Sequence, residues 1–294
     1  MRRLVFPLFL TLLAAALTAC GASDTVSQSF DPVAAAATKT SRVSTTHMSL
    51  TATMSAPGVA GSLQFTGSGA IDNARRRGSM TLDMSGIAQS MPAAGGLNDP
   101  SLWRGQYVFD FSKGMVVYMS FPFMTRALAG GKRWVRMDLA SMSKQMGLDL
   151  DQLMQMNQSN PAQQLDYLRA VSGRFTKLGT GRVRGVAATR YRTTVDMTKY
   201  PELVPKEQRA AMRQSIRKLI EATGQPTYPV EVWIDAKQLI RRMSLRMTMQ
   251  VPAGETSMAM SMDFYGFGRP VSVRLPRAAD TVDMAELIAQ AQAQ

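Results

Sequence analysis

Side chains able to do covalent or metal chemistry are few in this chain. One His and one Cys among 294 residues exclude a zinc site of the Cys/His kind, a disulfide framework and a thiol redox pair. His47 precedes a strand-like run in a Thr/Ser-rich setting, with no serine-nucleophile motif or carboxylate cluster near it. It reads as a surface or packing residue. Ser141-x-x-Lys144 and Ser215-x-x-Lys218 have the spacing of a serine acyl-enzyme motif, but no Lys-Thr-Gly strand accompanies either, and the second falls mid-helix among basic residues. Gly179, Gly181 and Gly185 miss the dinucleotide-binding spacing, and six Glu mark no glycosidase-like pair. No catalytic residue and no cofactor are implied.

The methionines, 23 in all, are the informative anomaly. Met258, Met260, Met262 and Phe264 alternate with Ala259, Ser261 and Asp263. Leu245, Met247, Met249 and Val251 alternate with Arg246, Thr248 and Gln250, and Met80, Leu82 and Met84 repeat the pattern earlier. A period of two puts each set on one face of a sheet. An unbranched thioether adapts to irregular apolar partners, so these residues suit a wall around flexible acyl chains, and equally a Met-rich core. Soft sulfur also selects Cu(I), but the Met-x-Met-x-Met neighbours are apolar and bring no His or acidic cluster.

The chain begins with a positive pair, Arg2 and Arg3, then an apolar stretch from Leu4 to Leu17. That stretch is short of the about 20 residues a bilayer span needs and has the layout of a secretory signal. Leu17-Thr18-Ala19-Cys20, followed by Gly21, resembles a bacterial lipobox. Cleavage after residue 19 would leave Cys20 as a lipid-modified, acylated N-terminus, with a small, polar tether over residues 20–30. The expected place is the extracytoplasmic face of the cell membrane. The formal net charge of +13 then implies attraction to anionic headgroups. Nucleic acid is the wrong partner for that compartment, and no motif for it appears.

These candidates must be positioned by strands, with helices at intervals. Asp31-Pro32 opens an Ala-rich helix to about Ser41. Strand signals follow at Leu50–Ser55, Ser62–Ile71, Met80–Met84, Tyr107–Phe111, Met115–Phe121 and Trp134–Leu139. Helical spacing appears at Met146, Leu150, Leu153 and Met154, then from Asn160 to Leu168. Strands resume at Phe175–Leu178 and Val183–Val195. A helix from Pro205 to near Gly224 carries Met212, Ile216 and Leu219 on one side. Its other side carries Lys206, Arg209, Arg213 and Arg217, a stripe for headgroups or simply a solvated basic face. Strands at Val230–Ile234, Leu245–Val251 and Met258–Phe264 precede a short helix from about Thr281. No linker divides the chain. The expectation is one α+β domain over 31–285 with a tail at 286–294.

Three stretches carry a family resemblance. They are Arg182–Tyr191 (RVRGVAATRY), Pro229–Asp235 with Leu239–Met243 (PVEVWID, LIRRM), and Phe264–Val273 with Pro276 (FYGFGRPVSV). In this order, behind a lipobox, they resemble the LppX/LprG-type lipoproteins of actinobacteria and, more widely, the LolA and LolB carriers. The resemblance implies a single curved antiparallel half-barrel sheet with helices packed on its concave side, enclosing an apolar cavity. The implied function is binding or carriage of lipid or glycolipid acyl chains, without catalysis. The alternatives are an envelope sensor or scaffold module docking a partner protein, and a Met-rich Cu(I) binder.

Overall fold

Alternating Met/Leu and Ser/Thr positions fold into strands, and the strands all join one sheet. The computed structural model describes residues 32–58, 61–86, 88, 98–112, 114–126, 128, 131–139, 141, 175–203, 206–251 and 254–292. The signal segment 1–19, Cys20 and its tether, and the helices expected around 146–154 and 160–168 lie outside these residues.

Helix α1 (Pro32–Ser41) leads into β1 (Thr45–Ser55), β2 (Leu63–Asp72), β3 (Arg77–Asp83), β4 (Arg104–Asp110) and β5 (Val116–Ser120). A single-turn α2 (Pro122–Thr125) precedes β6 (Trp134–Asp138). The second half contributes β7 (Thr176–Val183), β8 (Val186–Asp196), α3 (Arg209–Thr223), β9 (Thr227–Asp235), β10 (Ile240–Val251) and β11 (Gly254–Tyr265). It ends in β12 (Thr281–Asp283) and α4 (Met284–Gln292), so the last helix begins before 285 and crosses the boundary drawn there.

The strand order is β12-β6-β5-β4-β3-β2-β1-β11-β10-β9-β8-β7. Two meanders, β1 to β6 and β7 to β11, therefore meet at the β1–β11 pair. Every pairing is antiparallel except β12 with β6, which is parallel and makes the sheet mixed. Its terminal strands β12 and β7 do not pair with each other. The result is a large, open, curved sheet with a few helices and not a closed barrel, as the α+β half-barrel reading expects.

Local chemistry sets the turns. The Asp235 carboxylate accepts from the backbone N–H of Lys237 and of Leu239, both at 2.9 Å, and so builds the β9–β10 hairpin. Arg241 seals it with an ion pair to the same carboxylate at 2.7 Å. The β7–β8 turn falls at Arg184-Gly185, both with positive φ (48° and 82°), the two-residue geometry that suits strand twist. The sequence reading ended the preceding strand at Leu178. The structure continues it through Gly179 and Gly181, with a register shift beside Gly179 marking a bulge.

Unbroken registers sort side chains onto two faces. One face carries Met48, Leu50, Ala52 and Met54 of β1, opposite Phe264, Met262, Met260 and Met258 of β11. The other carries Ser49, Thr51 and Thr53, opposite Asp263, Ser261 and Ala259. On the apolar face α1 buries Val33 and Ala36 against Val232, Ile234 and Ile240, with Phe264 and Tyr191 packed beside them. The Thr40 hydroxyl accepts from the Ile240 N–H at 2.9 Å and pins the helix there. A second cluster of Ala88, Leu102 and Trp103 sits at the end of β3 and β4.

Crowding on the apolar face explains one glycine in particular. A Cβ on Gly105 would meet the Phe121 ring and lie 2.5 Å from the Ser120 carbonyl oxygen. Phe121 is 1% exposed and cannot retreat. Gly105→Ala is therefore expected to destabilise the fold by about 2–3 kcal/mol in denaturant titrations. Gly181→Ala, where nothing lies within 4 Å, is expected to leave the midpoint unchanged or slightly raised.

Candidate functional site

The apolar face brings together the methionines singled out above. Met258 lies opposite Met247, Met260 opposite Leu245, and Met262 opposite Met243. Met249 shares the register, opposite Thr256. Three strands beyond β11, on β3, Met80 and Leu82 take the same side, opposite Tyr107 and Gly105 of β4 and Gly69 and Gly67 of β2. Met84 follows β3 and packs against the Leu102/Trp103 cluster, away from the open stretch.

Burial separates this surface from an ordinary core. Met80, Leu82, Met247, Met258, Met260, Met262 and Phe264 are all half-buried, and Met243 is 40% exposed. Full burial is found under α1 (Val232, Ile234), near β5 and β6 (Phe121, Val135) and, on β1, at Met48 and Ala52. The central strands thus present thioethers and Phe264 as a wall. The β1 residues Met48, Leu50 and Met54 belong to it as well. Their alternation with Ser49, Thr51 and Thr53 was the signal available in the sequence for adding them.

The basic stripe divides. Arg209 and Arg213 both pair with Glu202, at 3.1 and 2.8 Å, so one carboxylate from the segment before α3 spans them. Lys206 and Arg217 are exposed. Ile216 is buried on the opposite side of α3, as the amphipathic spacing predicts. Gly224, with positive φ, ends the helix where expected.

His47 stands on the polar face of β1, its ring centroid 5.8 Å from that of Tyr265. A Cβ on Gly266 would come within 2.8 Å of its Nδ1, so His47 is a packing residue at the β1–β11 end.

The polar face also holds a cluster that sequence reasoning did not assemble. Glu231 of β9 accepts from Arg190 and from Arg192 of β8, the closest contact of each being 2.6 Å. Arg242 of β10 grips Asp263 of β11 with two donors, the Nη2 bond being 2.8 Å. The Trp233 ring lies between Arg190 and Arg242, whose guanidinium carbons are 5.1 and 5.7 Å from its centroid. Burial pulls the Glu231 carboxyl upward, but hydrogen bonds and charge from Arg190 and Arg192 outweigh it and hold the group below the usual glutamate range. The Asp263 hydrogen bonds raise the Arg242 guanidinium against a smaller desolvation effect.

No family model matches the chain. An uncharacterized 31.2 kDa protein of Streptomyces griseus, from the rplA-rplJ intergenic region, is 32% identical over 169 residues, which is 56% of this chain and 52% of the relative. The match thus spans about half the length of that curated relative. Similar solved structures include lipoprotein LppX of Mycobacterium tuberculosis, with a TM-score of 0.44 at 11% identity over 83% of this chain and 96% of that one. LprF of Mycobacterium bovis gives 0.40 at 13% over 84% and 96%. A LolA-superfamily protein of Nitrosomonas europaea gives 0.24 at 6% over 79% and 89%.

Because Glu231 is held below its ordinary value, the pairing stabilises the fold at neutral pH and is lost as pH falls through the folded-state value. Glu231→Gln is expected to cost about 1–2 kcal/mol at pH 7, modest because both guanidiniums reach solvent. The gap in thermal midpoint between wild type and variant should close on acidification below about pH 4. A gap that stays constant with pH would remove the ion pair as its cause.

Proposed function

We propose that this chain is an extracytoplasmic lipoprotein, anchored to the cell membrane through Cys20, that binds or carries lipid or glycolipid acyl chains. The observation that carries the reading is the apolar face across β10, β11 and β1, continuous in register, with Leu245, Met247, Met258, Met260 and Met262 of β10 and β11 half-buried. Each methylene moved from water to such a surface gains about 0.8 kcal/mol. Thioethers adjust their three rotatable bonds to a chain that has no fixed shape. The resemblance of the three stretches to LppX/LprG-type lipoproteins supports the same ligand class. Exposed Lys206 and Arg217 on the α3 side would meet anionic headgroups, while Glu202 tempers Arg209 and Arg213. The activity is sequestration, with no bond made or broken.

One observation favours a protein partner as the second reading. The edge strand β7 exposes every residue from Thr176 to Arg182, which leaves it open to strand addition by another chain. Copper is the third reading, resting on the thioethers alone.

The test is mass spectrometry of lipids extracted from the full chain after purification, with variants at Met260. Met260→Asp places an unpaired carboxylate in the apolar wall, which costs several kcal/mol or draws water in. Co-purifying acyl lipid should fall to background while the thermal midpoint drops only slightly. Unfolding of the variant would instead mark Met260 as packed core. Met260→Leu should keep lipid and stability but lose any thioether-dependent Cu(I) affinity. Unchanged lipid uptake and stability in Met260→Asp would overturn the carrier reading.

A further inference from the structure

The polar face of the sheet carries an open cleft of about 630 Å³, whose lining also takes in Leu245 and Met260 of the central strands. Its lining comes from β8, β9, β10, β11 and β1, adjacent strands of the sheet. Four guanidiniums line it, those of Arg190, Arg192, Arg242 and Arg246. Facing them are Glu231 within the cleft and Asp263 beside it, bound to Arg242. The local balance is therefore two positive charges in excess.

Arginines at this density repel one another unless something holds them, and here the two carboxylates do so. Glu231 fixes Arg190 and Arg192 by their Nε and Nη2 edges. Asp263 fixes Arg242 by the same two atoms. Among the described residues, each of these guanidiniums keeps its Nη1 for another acceptor. Arg246 differs from the other three. It is exposed, lies opposite the small Ala259, and has no ion pair among the described residues. The floor consists of short hydroxyl side chains, Thr51 and Thr53 of β1, Ser244 of β10 and Ser261 of β11.

We propose that this cleft is a second ligand site, taking a phosphoryl group carried on a hydroxylated compound, with Arg246 as the guanidinium that closes on it. A phosphate dianion matches the excess of two positive charges. Its oxygens accept from several directions, as donors spread over four strands require, whereas a carboxylate accepts within one plane. The volume leaves room for a polyol or sugar beyond the phosphate, above the hydroxyl floor. Preformed ion pairs hold the donors in place before the ligand arrives, which lowers the cost of ordering them. The site rests on guanidiniums and hydroxyls of the polar face and not on the acyl reading, although Leu245 and Met260 border it.

Trp233 reports on the cleft directly, since its ring lies between two of the arginines. The full chain in a neutral detergent is titrated with sn-glycerol 3-phosphate, with inorganic phosphate and with glycerol, following tryptophan fluorescence. The full chain in detergent-free buffer is titrated with phosphatidylglycerol and phosphatidylcholine vesicles. Glycerol phosphate is expected to give a saturable change that glycerol does not, absent in Trp233→Phe. Arg246→Ala should weaken it at least about tenfold with an unaltered thermal midpoint, because Arg246 is exposed. Arg246→Lys should restore part of the affinity. A response to phosphatidylglycerol vesicles alone, lost in Arg246→Ala, assigns the same phosphoryl chemistry to a lipid headgroup. A response equal in wild type and Arg246→Ala, or none to any phosphorylated probe, overturns the site.

Discussion

The β1–β11 pairing is the contact on which the rest of this sheet depends. Nine residues of β1, His47 to Ser55, pair with Tyr265 to Ser257 across roughly two hundred residues of intervening chain. Without that seam the molecule is two separate meanders, each with an uncovered central edge. With it, the two apolar rows become one surface and the two polar rows another. A slip of one residue would carry Ser49, Thr51 and Thr53 to the apolar side and Met48, Leu50 and Met54 to the polar one, so burial itself fixes the register. The seam is also clasped at its end: Thr45 accepts from the Gly268 N–H and donates to the Arg269 carbonyl.

The two faces then follow different physical rules. On the apolar side the core closes only where something covers it. Helix α1 shields β9 and β10, and Phe121 fills the space over Gly105. Between those regions the wall keeps flexible thioethers rather than the β-branched residues found buried at Val117 and Val135. On the polar side, stability comes from cross-strand ion pairs, since a row of arginines on adjacent strands is tolerable only with carboxylates between them. Glu231 and Asp263 meet that requirement and leave a rigid cationic cleft as the consequence.

Much of the local structure was legible in the sequence because period two is a local signal. Met258 to Phe264 shows its two sides without reference to any neighbour, and Gly224 marks the end of α3 in the same way. Strand order was not legible. Nothing in β1 names β11 as its partner, and nothing in Thr281–Asp283 foretells a parallel pairing with Trp134–Arg136. The turn at Arg184-Gly185 was obscured by Gly179 and Gly181, whose freedom serves a bulged edge strand instead. The arginine cleft was hidden for a related reason. Arg190, Arg192, Arg242 and Arg246 sit in strands as solvent-facing positions do, and only register gathers them into one cleft with Trp233.

The stretches that carry the family resemblance include residues of both faces, such as Arg190, Trp233 and Phe264, but several of their residues shape turns and strand ends. Asp235 and Arg241 close a hairpin, Gly185 completes another, and Gly266 gives room to His47. Such positions tolerate little change, because each satisfies a particular backbone geometry or a buried contact. The mid-strand side chains, Met260 on one face and Arg246 on the other, are held by nothing comparable. They are bounded only by apolarity on one side and charge balance on the other. A chain can therefore keep the fold recognisable while the chemistry of both faces is reset. Function in this architecture has to be argued from those mid-strand positions, where the backbone leaves the choice of side chain open.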